Sequence, residues 1–292
     1  MSRKAQERAA AKMTVIRSPR AMSAWSAEAH SHSVRIGFVP TMGALHAGHV
    51  SLVRRIHSKV DRVVVSIFVN PLQFGPTEDF AKYPRDLRSD LALLREERVD
   101  TVFTPQVKDM FHPDLATSVD VGGVTETLEG AVRPGHFRGV TTVVTTLYNI
   151  IRPDAVIYGQ KDYQQVEVLR RLTRDLCFPI QFYVGPTVRE RDGLALSSRN
   201  RYFTFAQRSD AACLWRGLCA ARAAFHAGQA DAASLRDVVE ASARKTFSGV
   251  RFDYIALTDR KTLIALATAR RGAVISVAAQ VHGVRLIDNI IL

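Results

Sequence analysis

The run Arg62-Val63-Val64-Val65-Ser66-Ile67-Phe68-Val69 constrains the fold of this 292-residue chain more than any other stretch. Six of its eight residues are apolar and most of those β-branched, without the alternation of a half-solvated strand, so both of its faces must be covered. That is the signature of a parallel strand, and parallel neighbours need long crossover connections, usually helices. The flanking sequence supplies them. Upstream, Val34-Arg35-Ile36-Gly37-Phe38-Val39 reads as a second buried strand, stopped by Pro40, which cannot donate to a ladder. Downstream, Asp86 to Arg98 reads as a helix with Leu87, Leu91 and Leu94 on one side, and Thr101-Val102-Phe103 as a short strand closed by Pro105. Gly139 opens a helix running through Val143, Leu147 and Ile150 to a stop near Arg152-Pro153. Ala155-Val156-Ile157-Tyr158-Gly159 is another strand, a helix follows from about Asp162 to Leu176, and Ile180 to Val184 closes the series at Gly185-Pro186. Such alternation predicts an α/β fold: a doubly wound, Rossmann-like parallel sheet with ligands at the carboxyl ends of its strands.

Past Pro186 the pattern changes. An Ala-rich helical stretch from Ala206 to Ala227 leads into a second helix, Ala233 to Thr246. Strand-like segments follow at 252–257, 273–279 and 284–288, the last two joined across a turn at His282-Gly283. The expected layout is an N-terminal basic extension (1–33), a Rossmann-like domain (34–185) and a smaller C-terminal α+β domain (186–292). The first 33 residues are rich in Ala, Arg and Ser but lack the apolar core of a secretory signal, and read as a frayed extension ahead of the first strand. Three cysteines, Cys177, Cys213 and Cys219, without C-x-x-C spacing, argue against a disulfide framework and for a reducing compartment. No apolar run approaches the roughly 20 residues of a membrane span. A net charge of +12 suits phosphorylated or polyanionic partners, without selecting among them.

The chemistry concentrates where strands hand over to helices. Pro40-Thr41-Met42-Gly43-Ala44-Leu45-His46-Ala47-Gly48-His49 joins the first strand to a helix on which Val50, Leu52, Val53 and Ile56 share a face. Unpaired N–H groups and the dipole at that helix start favour a phosphate, and His46 and His49, three apart, share one face toward it. Asn70 and Gln73 stand just past a strand's carboxyl end, where neutral amides fix a small polar substrate without burying a charge. Arg133-Pro134-Gly135-His136-Phe137-Arg138-Gly139 has the glycines and cations of a loop that approaches an anion or orders on binding. In Gly159-Gln160-Lys161-Asp162-Tyr163-Gln164-Gln165, Lys161 is a compact charge suited to phosphate oxygens, with Gln165 one turn on. Leu196-Ser197-Ser198-Arg199, beyond the hinge glycine Gly193, combines hydroxyl donors with a guanidinium fork, a phosphate clip on a mobile lid.

These ordered segments resemble those of the pantoate–β-alanine ligases, a family of the nucleotidyltransferase superfamily that shares the HIGH signature with class I aminoacyl-tRNA synthetases. Pro40 to His49 resembles the HIGH-type motif and Leu196 to Arg199 the counterpart of the synthetase KMSKS loop; the likeness runs from about Val34 through Arg285-Leu286-Ile287-Asp288-Asn289. One departure is Gln160, where the family has Glu in Gly-Glu-Lys-Asp. The resemblance implies a ligase that joins pantoate to β-alanine through a pantoyl adenylate, with ATP as substrate and Mg2+ required. It implies that His49, His46 and Lys161 are catalytic. Met42, Gly43, Ala44, Leu45, His46, Ala47, Gly48, His49, Gly159, Gln160, Lys161, Asp162, Val188, Leu196, Ser197, Ser198 and Arg199 would bind ATP. Gln73 and Gln165 would bind pantoate, Gln73 also lying near β-alanine, and Asp90 is a candidate partner for Mg2+. It makes residues 34–185 the nucleotide- and pantoate-binding domain and 186–292 a lid domain, in a cytoplasmic homodimer with no nucleic-acid or membrane partner and no protein metal site. Alternatives are another adenylating enzyme of the HIGH superfamily and a basic RNA-binding protein on the same scaffold, whose RNA binding would fall steeply with salt.

Overall fold

The computed structural model describes residues 13–76 and 78–292. Its six-stranded sheet has the order β1-β4-β3-β2-β5-β6, with every pair parallel. The strands are β1 (Thr14–Ile16), β2 (Ile36–Thr41), β3 (Arg62–Ile67), β4 (Thr101–Phe103), β5 (Ala155–Gly159) and β6 (Gln181–Gly185). Connections run over α1 (Pro19–Ser31), α2 (Ala47–His57), α3 (Leu87–Glu96), α4 (His136–Ile151) and α5 (Tyr163–Asp175). The chain order steps outward from β2 through β3 to β4, then returns to β5 on the other side of β2. The β2/β5 boundary is thus the topological switch point, the place where open α/β sheets bind ligands. The HIGH-type motif leaves the carboxyl end of β2, and Gly159 closes β5 beside it.

The sheet is buried as the β-branched run requires: Val63, Val64 and Val65 are inaccessible to solvent, as are Ile36, Phe38 and Val39. Along α2 the predicted face, Val50, Leu52, Val53 and Ile56, is buried. Pro40 does not end β2, which continues to Thr41. Neighbouring β5 pairs with β2 only at Gly37 and Phe38, so the missing N–H removes no bond on that side.

The N-terminal expectation needs correction. Residues 1–12 lie outside the described residues, but the rest of the supposed extension is integral to the sheet. β1 pairs in register with β4, Thr14 to Thr101 through Ile16 to Phe103, and the Thr104 N–H donates to Ile16 O at 2.8 Å. Ser18 caps α1, with Pro19 in its first turn, and Met22 and Ser26 on that helix are fully buried. A three-residue strand is too short to show a period, but Ser-Pro was a readable helix start.

The chain divides into two compact units. The first takes the residues up to 121 together with 135–159 and 169–185; the second takes 122–134, 160–168 and 186–292. Two segments that sequence reading assigned to the Rossmann-like domain, 122–134 and 160–168, therefore cluster with the C-terminal part. In the second unit an antiparallel sheet, β7 (Arg251–Thr258), β8 (Val274–Val281) and β9 (Val284–Ile291), has the order β7-β8-β9. His282 and Gly283, both with positive φ (49° and 78°), form the two-residue turn between β8 and β9. The expected single helix over 206–227 is broken at Ala212 into α6 (Phe205–Ala211) and α7 (Cys213–His226); α8 (Ala232–Thr246) follows. Leu214, Leu218, Leu235, Val239, Ile275 and Val277 make the centre of this unit's own core.

Candidate active site

Local geometry fixes the neutral tautomer of the two histidines. His46 is the N-cap of α2, and its Nδ1 accepts the Gly48 N–H at 3.1 Å. His49, at the third helical position, accepts the His46 N–H on Nδ1 at 3.3 Å, so the pair forms a reciprocal capping box built from imidazoles. A ring nitrogen that accepts a backbone N–H carries no proton, so in the neutral form each ring bears its proton on Nε2. The rings lie 4.1 Å apart between centroids. Two Nε2–H donors are thereby held side by side at a helix N-terminus, where developing negative charge is favoured.

The turn that delivers them is strained and clamped. Gly43 has φ +84° and Ala44, which carries a Cβ, has φ +50°. Asp90, on the first turn of α3 and 3% exposed, accepts the Ala44 N–H on Oδ2 at 2.9 Å and the Leu45 N–H on Oδ1 at 2.8 Å. A Cβ on Gly43 would stand 3.0 Å from Asp90 Oδ2 and 3.1 Å from Ile67 Cγ2, so glycine admits the carboxylate beneath the turn. Sequence reading offered Asp90 as a Mg2+ partner. In the structure both of its oxygens accept backbone N–H groups of the histidine turn.

Gln73 is placed by a second network in the same unit. Its Nε2 donates to Met42 Sδ at 3.2 Å, which brings it to the start of the HIGH-type motif. Its Oε1 accepts Asn70 Nδ2 at 3.0 Å, and the same Asn70 amide donates to Gly139 O at 3.1 Å. Asn70 is buried, and its Oδ1 accepts the Leu72 N–H, capping the short turn Pro71–Gln73. Gly139 does not open the helix, which starts at His136; it lies inside α4. A Cβ there would fall 2.1 Å from Leu72 O, so only glycine lets the helix backbone meet the Gln73 turn. In the 133–139 segment, read from sequence as a loop that approaches an anion or orders on binding, the helix already begins at His136. His136 Nδ1 lies 2.8 Å from Gln73 O, Arg133 faces Glu129 at 3.6 Å, and Arg138 lies 3.9 Å from Asp120.

In the second unit, the turn Gln160–Asp162 carries Lys161, whose Nζ is 3.5 Å from Asp162 Oδ1. Gln165 is half-buried on α5, next to Gln164, whose side chain is spent on structure. Gln164 Nε2 donates to Val124 O and Thr127 O (2.8 and 2.7 Å), and its Oε1 accepts the Glu129 N–H at 2.9 Å. Glu129 in turn receives Arg285 on both oxygens (2.7 and 2.8 Å) and the Tyr254 hydroxyl at 2.9 Å. Burial pushes the Glu129 carboxyl up, but Arg285, Tyr254 and Arg133 outweigh it and hold the group below the usual carboxylate range. The clip arm is a narrow hairpin. Leu196 N–H donates to Val188 O at 3.0 Å and Glu190 N–H to Leu194 O at 2.9 Å, with Gly193 at φ +97° in the bend. Ser197 caps the turn Ser198–Tyr202 by accepting the Arg199 N–H at 3.3 Å, and Asn200 Nδ2 holds Ala195 O at 3.0 Å.

The full pattern matches the pantoate–β-alanine ligase family over residues 14–291. The chain belongs to that family. A pantothenate synthetase of Moorella thermoacetica is 48% identical over 280 residues, 96% of this chain and 99% of that protein. The pantothenate synthetase structure from Thermus thermophilus superposes with a TM-score of 0.89 at 44% identity, covering 95% of this chain and 99% of that one. A pantoate–β-alanine ligase from Francisella tularensis, solved in complex with β,γ-ATP and β-alanine, has a TM-score of 0.77 at 32% identity and covers 96% of this chain and 98% of its own. Measured against the family's expected machinery, sequence reading left Asp90, His136 and Asn289 without a positioning role. Of these, His136 and Asn289 stood within quoted motifs, and none has a local signal that names its partner.

Proposed function

We propose that this chain condenses (R)-pantoate with β-alanine to pantothenate, converting ATP to AMP and pyrophosphate. The paired Nε2–H donors of His46 and His49 at the α2 N-terminus, in a chain of this family, carry the reading. A carboxylate is a poor electrophile, so its oxygen must first become part of a good leaving group. A pantoate oxygen attacks the α-phosphorus of ATP, the α–β phosphoanhydride bond breaks, and pyrophosphate departs with the electron pair. His46, His49 and Lys161 stabilise the charge that builds on the α-phosphoryl oxygens. The β-alanine amine then attacks the acyl carbon of the adenylate, loses a proton, and the acyl C–O bond breaks to release AMP.

We assign ATP to Met42 through His49, Gly159 through Asp162, Val188 and Leu196 through Arg199, and pantoate to Gln73 and Gln165. Among the described residues no group of three or more His, Cys, Asp and Glu side chains is placed to hold a metal. Mg2+ would be held chiefly by ATP phosphate oxygens and water, as is usual for this reluctantly dehydrated ion, and would offset phosphate charge there; no step is routed through it. Among those residues no helix is long and apolar enough to cross a membrane. A cytoplasmic homodimer is carried as the family expectation, to be checked by sedimentation.

Incubation with ATP, Mg2+ and pantoate, with and without β-alanine, tests the reaction. Catalytic AMP formation that needs both acids is expected; ADP as product refutes the adenylate route. His49→Ala is expected to lower pantoate-dependent ATP–pyrophosphate exchange by about 10²-fold or more, the scale of one lost positioned donor. Unchanged exchange in that variant sinks the role given to His49.

A further inference from the structure

Strand β9 holds, through two adjacent side chains, the turn at Gln160–Lys161 assigned above to ATP and the hairpin that leads to the Ser197-Ser198-Arg199 clip. Asn289, 3% exposed, donates from Nδ2 to Gln160 O at 3.0 Å and Lys161 O at 2.9 Å. Its Oδ1 accepts the Gln160 side-chain amide at 3.3 Å, so both ends of the Asn289 amide hold the turn that carries Lys161. Asp288, 5% exposed, takes Arg189 on both oxygens, at 2.6 and 2.9 Å, and also accepts the Asn289 N–H at 2.8 Å. Arg189 opens the hairpin that leads to Ser197-Ser198-Arg199. The same guanidinium donates to Gly193 O at 3.1 Å and stacks 3.5 Å over the Trp215 ring. Consecutive strand residues point to opposite faces, so one strand reaches the Lys161 turn on one side and the clip hairpin on the other.

We propose that Asp288-Asn289 is a positioning bracket for the adenylation step, fixing the Lys161 turn and the Ser197-Ser198-Arg199 clip on one rigid element. The inference rests on the functional reading above. A buried ion pair would serve stability poorly, since an apolar replacement is often as stable, but a bidentate Arg–carboxylate pair fixes geometry. The Asn289 contacts go to main-chain carbonyls and so set the backbone that aims Lys161, whatever side chain stands at that position. Neither residue need touch a substrate.

The test is a double-mutant cycle read by pantoate-dependent ATP–pyrophosphate exchange. Asn289→Ala is expected to lower exchange about tenfold, mainly through a raised KM for ATP, consistent with a displacement well under 1 Å. The near-isosteric Asn289→Asp, which loses both donors and sets a carboxylate against the two carbonyls, is expected to show at least the same loss of exchange together with a lowered melting temperature. In a Lys161→Ala background, Asn289→Ala is expected to cost less than twofold, because the group it positions is gone. Equal factors in the two backgrounds overturn the bracket, as does exchange by both Asn289 variants within twofold of the native chain. Absence of pantoate-dependent exchange in the native chain instead defeats the functional reading itself.

Discussion

Asp90→Asn is the sharpest perturbation of the histidine turn, because it changes charge and hydrogen-bonding polarity at nearly constant volume. The native carboxylate accepts two backbone N–H groups at 2.9 and 2.8 Å in a buried site. A carboxamide keeps one acceptor and turns its NH2 group toward the other N–H, donor against donor. One charge-assisted bond is lost, about 1.5–3 kcal/mol, and a buried N–H is left unsatisfied. The turn relieves the conflict by moving, and Ala44, at φ +50°, is the residue with the least intrinsic reason to stay. A shift on the order of 1 Å at His46 and His49 is worth about 10²-fold in rate. We therefore expect pantoate-dependent exchange to fall about 10²-fold, while melting drops by about 3–12 °C, at about 2–4 °C per kcal/mol. Exchange within threefold of the native chain refutes the clamp. So does recovery of Asp90→Asn by excess Mg2+, which would return Asp90 to the role of a metal partner.

Two further outcomes follow from the second unit. The folded Glu129 carboxyl lies below its ordinary value, about 4.3 in the unfolded chain, so it adds stability that is present above that pH and lost as pH falls through the folded value. Melting of the native chain is expected to drop steeply below about pH 4.5, and Glu129→Gln, destabilised by about 3 kcal/mol at pH 7, to lose less over the same window. Parallel acid limbs for the two proteins refute the assignment. Burial pushes the Cys213 thiol up to about 12 and raises Cys219 as well, whereas Cys177 is exposed. An aromatic disulfide reagent at pH 8 is expected to titrate one fast thiol, absent from Cys177→Ser; a fast thiol remaining in that variant contradicts the burial of Cys213 or the raised thiol of half-buried Cys219.

Much of this molecule is legible along the chain because its causes are short-ranged. The valine run at 63–65 reports burial on both faces wherever its neighbours lie. The His282-Gly283 turn is decided by its own backbone. Motif order then pointed to the family. What the sequence could not supply are partners with no local period. Asp90 reaches Ala44 across 46 positions, Asn70 meets Gly139 across 69, Arg189 meets Asp288 across 99, and Asn289 holds Gln160 across 129. β1 has the same origin: Thr-Val-Ile becomes a strand because β4 offers it an edge, not because three residues prefer one. Local periodicity and caps determine which elements exist and which residue types stand at their ends. The orientation of a buried carboxylate or amide is settled only by the hydrogen-bonding groups that folding delivers to it, since burial without those partners would cost more than the contact returns.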